Sequence, residues 1–205
     1  MKNFILAITG ASGAPFGVRV LEELLKTAIV HLIISSNTFS IIREETGLDW
    51  TGDTEPKLRK QFGADTLYYY DDQNMEAPIA SGSFKTDGML VVPCSMKTLS
   101  GIANGYANNL IERAADVTLK EGRRLLLAPR EMPFSAIHLE NMLKLARLGV
   151  TIAPPVAAFY HHPENLDGMI DFITGKILDT FGIGHNLFKR WGVKADEEAA
   201  RAKPE

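Results

Sequence analysis

The stretch "ITGASGAPFG", Ile8–Gly17, decides the fold, because it is a glycine-rich turn that directly follows a first apolar run. In open parallel sheets such turns are frequent ligand sites. Its glycines, at positions 10, 13 and 17, fit neither the G-x-G-x-x-G spacing of dinucleotide folds nor the G-x-x-x-x-G-K-[ST] pattern of a P-loop. The turn therefore predicts an anion site of another kind or, in a purely structural interpretation, a tight turn with Ser12 as a helix cap.

Outward from this turn, apolar runs alternate with segments of helical spacing. The runs at 4–8, 29–35, 66–72, 88–95, 123–131 and 150–156 are expected to be strands, the third of them at an edge. Helices are expected over 15–26, 35–47, 95–105, 108–122, 135–149 and 164–183. Residues 48–87 carry the weakest pattern, and 77–88 are predicted to form a loop.

Repeated strand–helix units predict an α/β fold with a doubly wound, mainly parallel sheet. We expect a single domain over residues 1–192 and a charged, flexible tail over 193–205.

Composition and charge disfavour several classes of function. A net charge of −3 gives no reason to expect nucleic acid or an anionic membrane as a partner. The single cysteine, Cys94, excludes an internal disulfide framework and fits a reducing compartment. The start of the chain lacks a signal-peptide pattern, and no apolar run reaches the roughly 18 residues of a membrane span. The expectation is a soluble cytoplasmic protein.

Five segments leave the carboxyl ends of predicted strands, and all are rich in Gly, Ser, Thr, Pro or charge. They are "TGASGAP", "SSNT", "PCSMKT", "PREMP" and "PPVAAFYHHP". Because ligands of open α/β sheets lie at these ends, we expect the five segments to converge on one site. Strand two ends in Ser35 and Ser36 rather than in an acidic residue, which disfavours NAD.

"PCSMKT" places Ser95 and Thr98 at the start of a helix, as ligand donors or as a capping pair. Cys94, in the same segment, is interpreted as a small buried residue rather than as a nucleophile. Glu45, at the end of the second helix, is on spacing alone either another carboxylate of the site or a surface residue.

Two further segments carry charge. Arg113, Asp116 and Lys120 share one helix face, so Asp116 could pair with both cations, or the three could form a solvated face. "PREMP" sets Arg130 beside Glu131 directly after a strand. Arginine can bind phosphate with its planar fork, and a partly buried glutamate can have its pKa raised into a range useful for proton transfer.

Metal ligands are not expected. "FYHHP" offers Tyr160, His161 and His162, but adjacent histidines point in different directions on a regular element. The chain has neither an H-E-x-x-H motif nor a Cys/His cluster. We therefore predict no catalytic metal.

Four blocks together resemble the UbiX-like flavin prenyltransferases, a family that includes the partners of phenolic-acid decarboxylases. They are "ITGASGAPFG", "SGSFKTDGMLVVPCSMKTLSGIA", "RAADVTLKEGRRLLLAPREMPFSAIHLENM" and "PPVAAFYHHP". The resemblance runs from about residue 2 to "RW" at 190–191. It implies a flavodoxin-like Rossmann fold, a homododecamer, and transfer of a dimethylallyl group to N5 and C6 of reduced FMN. The donor would be dimethylallyl monophosphate or diphosphate, and a UbiD-type decarboxylase would receive the prenylated FMN.

The resemblance also implies roles for single residues. Ser12 would lie near flavin N5, and Ser12, Glu45, Lys120 and Glu131 would form the catalytic set. Lys176 stands where the family often has arginine, which keeps the charge but loses the bidentate geometry. Trp191 would cover the site of a neighbouring subunit. The FMN-binding set would be Gly10, Ala11, Ser12, Ser35, Ser95, Met96, Lys97, Thr98 and Arg130, and the set around the prenyl phosphate Arg113, Lys120, Arg130, Glu131, Tyr160 and Lys176.

Three alternatives stay open. A flavin-dependent cysteine decarboxylase of the phosphopantothenoylcysteine type has a similar fold, but the P-x-M-N-x-x-M-W motif of those enzymes is absent here. A non-catalytic FMN-binding protein would not need so many cationic and phenolic donors. An NAD oxidoreductase is disfavoured by the glycine spacing.

Overall fold

The computed structural model describes residues 1–63 and 65–191, which divide into two compact units, Met1–Val156 and the part from Ala157 onward. The first unit is built on a six-stranded sheet in the order β3-β2-β1-β4-β5-β6, with every pair parallel. The strands are β1 (Lys2–Ile8), β2 (Ala28–Ile34), β3 (Leu67–Asp71), β4 (Gly88–Cys94), β5 (Leu125–Pro129) and β6 (Thr151–Ile152).

Five of the helices described in this unit pack in two groups. The first two helices contact each other, and the first of them also contacts β1, β2 and β4, whereas α4 contacts both α5 and α6, and these three helices contact strands β4 to β6. The helices are α1 (Ala14–Leu25), α2 (Phe39–Thr46), α3 (Thr54–Phe62), α4 (Met96–Ala103), α5 (Leu110–Lys120) and α6 (Ala136–Arg147). The prediction of a doubly wound parallel α/β sheet is confirmed.

The sequence pattern missed helix α3, within residues 48–87. It is polar and buries only Thr54 and Leu58, so it has almost no apolar periodicity. Its end signals were nevertheless present, since Gly63 closes the helix with a φ of 58°. The predicted edge strand is confirmed as β3. Strand β6 is shorter than predicted because Pro154 and Pro155 cannot donate to a ladder.

Gly17 lets α1 cross β4 closely. A Cβ at this position would lie 2.4 Å from the carbonyl oxygen of Val92 and 3.2 Å from two side-chain carbons of Ile8. The backbone oxygen cannot move without distorting the sheet. The third glycine of the opening stretch therefore serves helix–strand packing.

His31 lies buried in β2 against the edge strand. Its ring stacks on Tyr68 and Tyr70, meets the edge of Phe84, and its Nδ1 lies 3.0 Å from the Tyr70 hydroxyl. Burial lowers the pKa of His31 from 6.5 to about 4. The folded protein therefore resists protonation of this ring at pH values where the unfolded chain accepts the proton.

We expect this histidine to make the protein acid-sensitive. Because the folded pKa is lowered, stability should fall as the pH drops from about 6.5 to 4, by about 2 to 3 kcal/mol, and this contribution should change no further below that. Urea unfolding of wild type and His31→Phe between pH 7 and 4 would measure it. The variant should show a flatter profile, while His162→Asn, at an exposed histidine, should keep the wild-type slope.

The second unit contains helix α7 (Leu166–Thr180) and the segment that follows it. Asn165 caps the helix by accepting from the Gly168 N–H at 2.9 Å. Among the described residues, no helix combines the length and apolar character needed to cross a membrane. The predicted tail, 193–205, lies outside the described residues, so the domain boundary at 192 stays a prediction.

Candidate functional site

A cavity of about 370 Å³, here called the strand-end cavity, lies at the carboxyl ends of the central strands. Four of the five predicted segments contribute to it, which confirms their convergence. The fifth begins in the first unit and continues into the second. The predicted site residues that line the cavity are Gly10, Ser35, Ser95, Met96, Lys97, Thr98 and Glu131.

Thr9, next to the cavity residue Gly10, joins β1 to the turn after β4. Its buried hydroxyl donates to the Pro93 carbonyl at 2.9 Å and accepts from the Ser95 N–H at 2.8 Å. Ser95 then caps α4 by accepting from the Thr98 N–H at 3.2 Å. The capping interpretation of Ser95 is thus confirmed, and the same geometry places the start of α4 at the cavity.

The glycine turn is closed by Glu45 rather than by Ser12. One oxygen, Oε2, accepts from the Gly13 and Ala14 N–H groups, both at 2.8 Å. The interpretation of Ser12 as the helix cap is wrong, because Gly13 occupies the cap position with a φ of 111° and Ser12 is exposed. The carboxylate of Glu45 therefore occupies the positive end of α1.

Arg130 and Glu131 follow β5 at the rim. The Arg130 Nε donates to the Ser12 carbonyl at 3.2 Å, so arginine and glycine turn are in direct contact. Glu131 lines the strand-end cavity and accepts from the Met132 N–H at 3.0 Å. Glu131 is exposed, as are the neighbouring residues of the turn after β5, so burial does not act on its carboxylate.

Two buried carboxylates of the cavity were missed. Asp72, 5% exposed, accepts from the Ser36 N–H at 3.3 Å, and its carbonyl accepts from the Leu110 N–H at 2.8 Å. Glu112, 4% exposed, accepts from the Asn108 N–H at 3.0 Å. The position of Asp72 directly after a strand could have indicated a site residue. Glu112 lies in a helical pattern, which predicts only a charge on the surface.

Cys94 is fully buried at the end of β4, and burial raises the pKa of its thiol. Its interpretation as a packing residue is confirmed.

We expect a thiol-specific reagent to leave Cys94 unlabelled in the native protein and to label it only after unfolding in urea. Lys60→Cys, at an exposed position, should label in the native state and so control for the reagent. Rapid native labelling of wild type would contradict the burial of Cys94.

The charged face of α5 leads away from the strand-end cavity. Asp116 pairs with Arg113 at 2.9 Å, whereas the ammonium of Lys120 pairs with Glu121 at 3.2 Å. Of the two alternatives, pairing of Asp116 with both cations is not observed, because Lys120 pairs with Glu121. The side chains of Arg113, Asp116 and Lys120 are each between a third and a half exposed, as in a solvated face. Glu112 lines the cavity, and Lys120 lies eight residues later, about 12 Å along the helix axis at 1.5 Å per residue.

Tyr160 and Lys176 lie in the second unit, where they line a pocket of about 700 Å³ that we call the C-terminal pocket. Tyr160 is exposed, and its ring meets those of Phe172 and Trp191 edge-on at 5.6 and 6.2 Å. Among the described residues, no group of three or more His, Cys, Asp or Glu is placed to hold a metal ion.

Residues 1–178 match the family model described as Flavoprotein. Over 190 residues the chain is 52% identical to flavin prenyltransferase UbiX of Methanocaldococcus jannaschii, an alignment that covers 93% of this chain and 98% of that protein. The chain belongs to the UbiX-like flavin prenyltransferase family.

Two solved structures of UbiX-like proteins resemble it closely. AnUbiX (PadA1), in complex with FMN and dimethylallyl pyrophosphate, is 42% identical, with a TM-score of 0.86 over 94% of this chain and 98% of that one. The dodecameric FMN-dependent UbiX-like decarboxylase of Escherichia coli O157:H7 is 46% identical, with a TM-score of 0.85 over 93% of this chain and 100% of that one. The expected flavodoxin-like Rossmann fold of the family is confirmed.

Proposed function

We propose that the chain is a flavin prenyltransferase that joins a dimethylallyl group to N5 and C6 of reduced FMN. The observation that carries this is identity of 52% to a flavin prenyltransferase over nearly the full length of both chains. The strand-end cavity supports it, because its lining suits a nucleotide. Ser35, Ser95 and Thr98 offer hydroxyls, and the start of α4 and Lys97 offer positive charge.

Gly10, Ala11 and Ser12 and the segment from Ser95 to Thr98 would hold FMN, with Ser35 and Arg130. Reduced FMN supplies the electron-rich ring that takes the prenyl group. Ser12 and Glu131 would handle protons beside it, and either Glu131 or the departing phosphate would take the proton lost from C6. The Arg130 bond to the Ser12 carbonyl would hold this serine in place.

The prenyl donor loses its phosphate when the carbon–oxygen bond breaks, and the leaving group needs fixed cations and donors. Arg113, Lys120, Arg130, Tyr160 and Lys176 are the side chains proposed for this. Such a set makes a catalytic metal unnecessary, and we propose metal-free transfer. Glu45 would support the chemistry through the glycine turn, since it binds the Gly13 and Ala14 N–H groups.

Lys120 would serve the site of another copy of the chain. It lies about 12 Å along α5 from Glu112, which lines the strand-end cavity, and its ammonium pairs with Glu121 at 3.2 Å rather than with a cavity residue. A homo-oligomer, and specifically a dodecamer like that of the Escherichia coli relative, would bring Lys120 to a neighbour. We propose that Trp191, 86% exposed, covers a neighbouring site in the same way.

The proposed product, prenylated FMN, would pass to a UbiD-type decarboxylase. The single cysteine supports the proposed cytoplasmic location, because a reducing compartment suits a chain without disulfides.

Anaerobic incubation with reduced FMN and dimethylallyl monophosphate, without added metal, would test the function by the mass of the released flavin. A gain of one five-carbon unit is expected. Unmodified flavin with both the mono- and the diphosphate would overturn the proposal and leave the cysteine decarboxylase or the non-catalytic FMN-binding protein. Release of carbon dioxide from phosphopantothenoylcysteine would then identify the decarboxylase.

A further inference from the structure

The segment after α7 is fastened to that helix by one carboxylate. Arg190 binds Asp179 with both terminal nitrogens, NH2 to Oδ1 at 2.7 Å and NH1 to Oδ2 at 3.0 Å. This is the bidentate arrangement in which a guanidinium and a carboxylate interact most strongly. Burial alone would raise the pKa of Asp179, but the hydrogen bond and charge of Arg190, together with His185, hold it below its ordinary value.

His185 adds a buried second attachment. Its side chain is fully buried, and its Nε2 lies 3.1 Å from the Asp179 Oδ1. The Leu187 N–H donates to the other ring nitrogen, Nδ1, at 3.2 Å. Nδ1 therefore accepts, which assigns the hydrogen to Nε2 and makes this nitrogen the donor to Asp179.

Gly175, one turn before Asp179, makes room for the same segment. A Cβ there would lie 2.5 Å from the His185 Cε1 and 2.5 Å from the Phe188 Cε1. Residues 175 and 179 are four apart and so share a helix face. We call Gly175 and Asp179 the seat of residues 185–190. Gly175 leaves space for this segment, and Asp179 binds it by charge.

The seated segment forms part of the C-terminal pocket. Lys189, Arg190 and Trp191 line this pocket together with Tyr160 and Lys176. The Arg190 guanidinium is bound to Asp179, so its charge is compensated within the protein. Lys176 and Lys189 are the other cations that line this pocket, and Lys176, one turn before Asp179 on α7, is the one that lies outside the seated segment.

We propose that Asp179 is a positioning residue for the prenyl donor: it seats residues 185–190 so that they form one wall of the pocket that Tyr160 and Lys176 line. This inference rests on the proposed function, because it assigns the donor to that pocket. Under this proposal, Arg190 acts through Asp179 and does not bind the donor phosphate.

Asp179→Asn tests this in the full-length protein. We expect KM for dimethylallyl monophosphate to rise about tenfold, with kcat changed less and the dissociation constant of FMN within about twofold of wild type. Trypsin should cleave after Lys189 and Arg190 several times faster, which intact-mass analysis would follow. Asp167→Asn, at an exposed carboxylate in the first turn of the same helix, should match wild type in both measurements.

Gly175→Ala removes the seat without changing charge and should reproduce the rise in KM and the faster cleavage. If Asp179→Asn fails to fold, Arg190→Gln carries the same test. An unchanged or lower KM in a folded Asp179→Asn enzyme would overturn the inference, since a lower KM would mean that the freed Arg190 binds the phosphate. If the wild-type protein makes no prenylated flavin, the proposed function is overturned instead. Trypsin cleavage of Asp179→Asn at the wild-type rate would by itself show that Asp179 does not hold residues 185–190 in place.

Discussion

Mixed assemblies of Ser12→Ala and Lys120→Gln chains are expected to regain prenyltransferase activity that neither variant has alone. Under the proposed function, each variant by itself should lose about 100-fold or more in kcat, because one removes the group proposed to lie beside the flavin and the other a cation proposed for the leaving phosphate. Recovery would follow from the proposed assignment of Lys120 to a neighbour, which rests on its position about 12 Å along α5 from the cavity residue Glu112 and on its ion pair with Glu121. With random assembly, about one quarter of the sites would combine an intact Ser12 with an intact Lys120.

The matched control joins Ser12→Ala with Arg130→Gln chains. The Arg130 Nε donates to the Ser12 carbonyl of the same chain, so both changes damage one site and mixing should restore nothing. Flavin prenylation by co-expressed, co-purified chains measures the effect. Equal activity in the two mixtures, at the sum of the parents, would refute the assignment of Lys120 to a neighbour.

Gly17→Ala is expected to destabilise the fold by about 3 kcal/mol, although alanine is the better helix former by about 1 kcal/mol. The added carbon would lie 2.4 Å from the Val92 carbonyl oxygen, which belongs to a central strand and cannot withdraw. Relief requires α1 to move off the sheet, and this would also displace the glycine turn. The midpoint of urea unfolding measures the loss.

Gly10→Ala serves as the control for this prediction. A Cβ at Gly10 would lie 4.0 Å from its nearest neighbours, Asn37 Cβ and Thr38 Oγ1, so the fold should keep its stability. Because Gly10 lines the strand-end cavity, FMN affinity should fall instead. Equal stability of the Gly17→Ala and Gly10→Ala proteins would show that α1 and β4 can separate without cost.

The sequence predicted those features that leave a local pattern. Buried strands give short apolar runs, and the glycine, serine and proline segments after them mark the sheet edge, so the strand-end cavity was foreseeable. Helix α3 was missed since it buries only Thr54 and Leu58. Glu112 was missed because burial of a carboxylate depends on Gly101 across from it, where a Cβ would lie 2.5 Å from its Oε1. The distance of Lys120 from the strand-end cavity could not be predicted, because it depends on the direction in which α5 runs relative to the sheet.

Under the proposed function, in which prenylated FMN is passed on, the bond of Glu45 to the start of α1 has a consequence for nucleotide exchange. An internal carboxylate already satisfies the Gly13 and Ala14 N–H groups, so the turn is preorganised and its shape does not depend on a bound phosphate. A flavin that enters need not order the loop, and one that leaves does not expose bare donors. Such a turn suits a protein whose flavin is cargo to be delivered, since loading and unloading leave its scaffold unchanged.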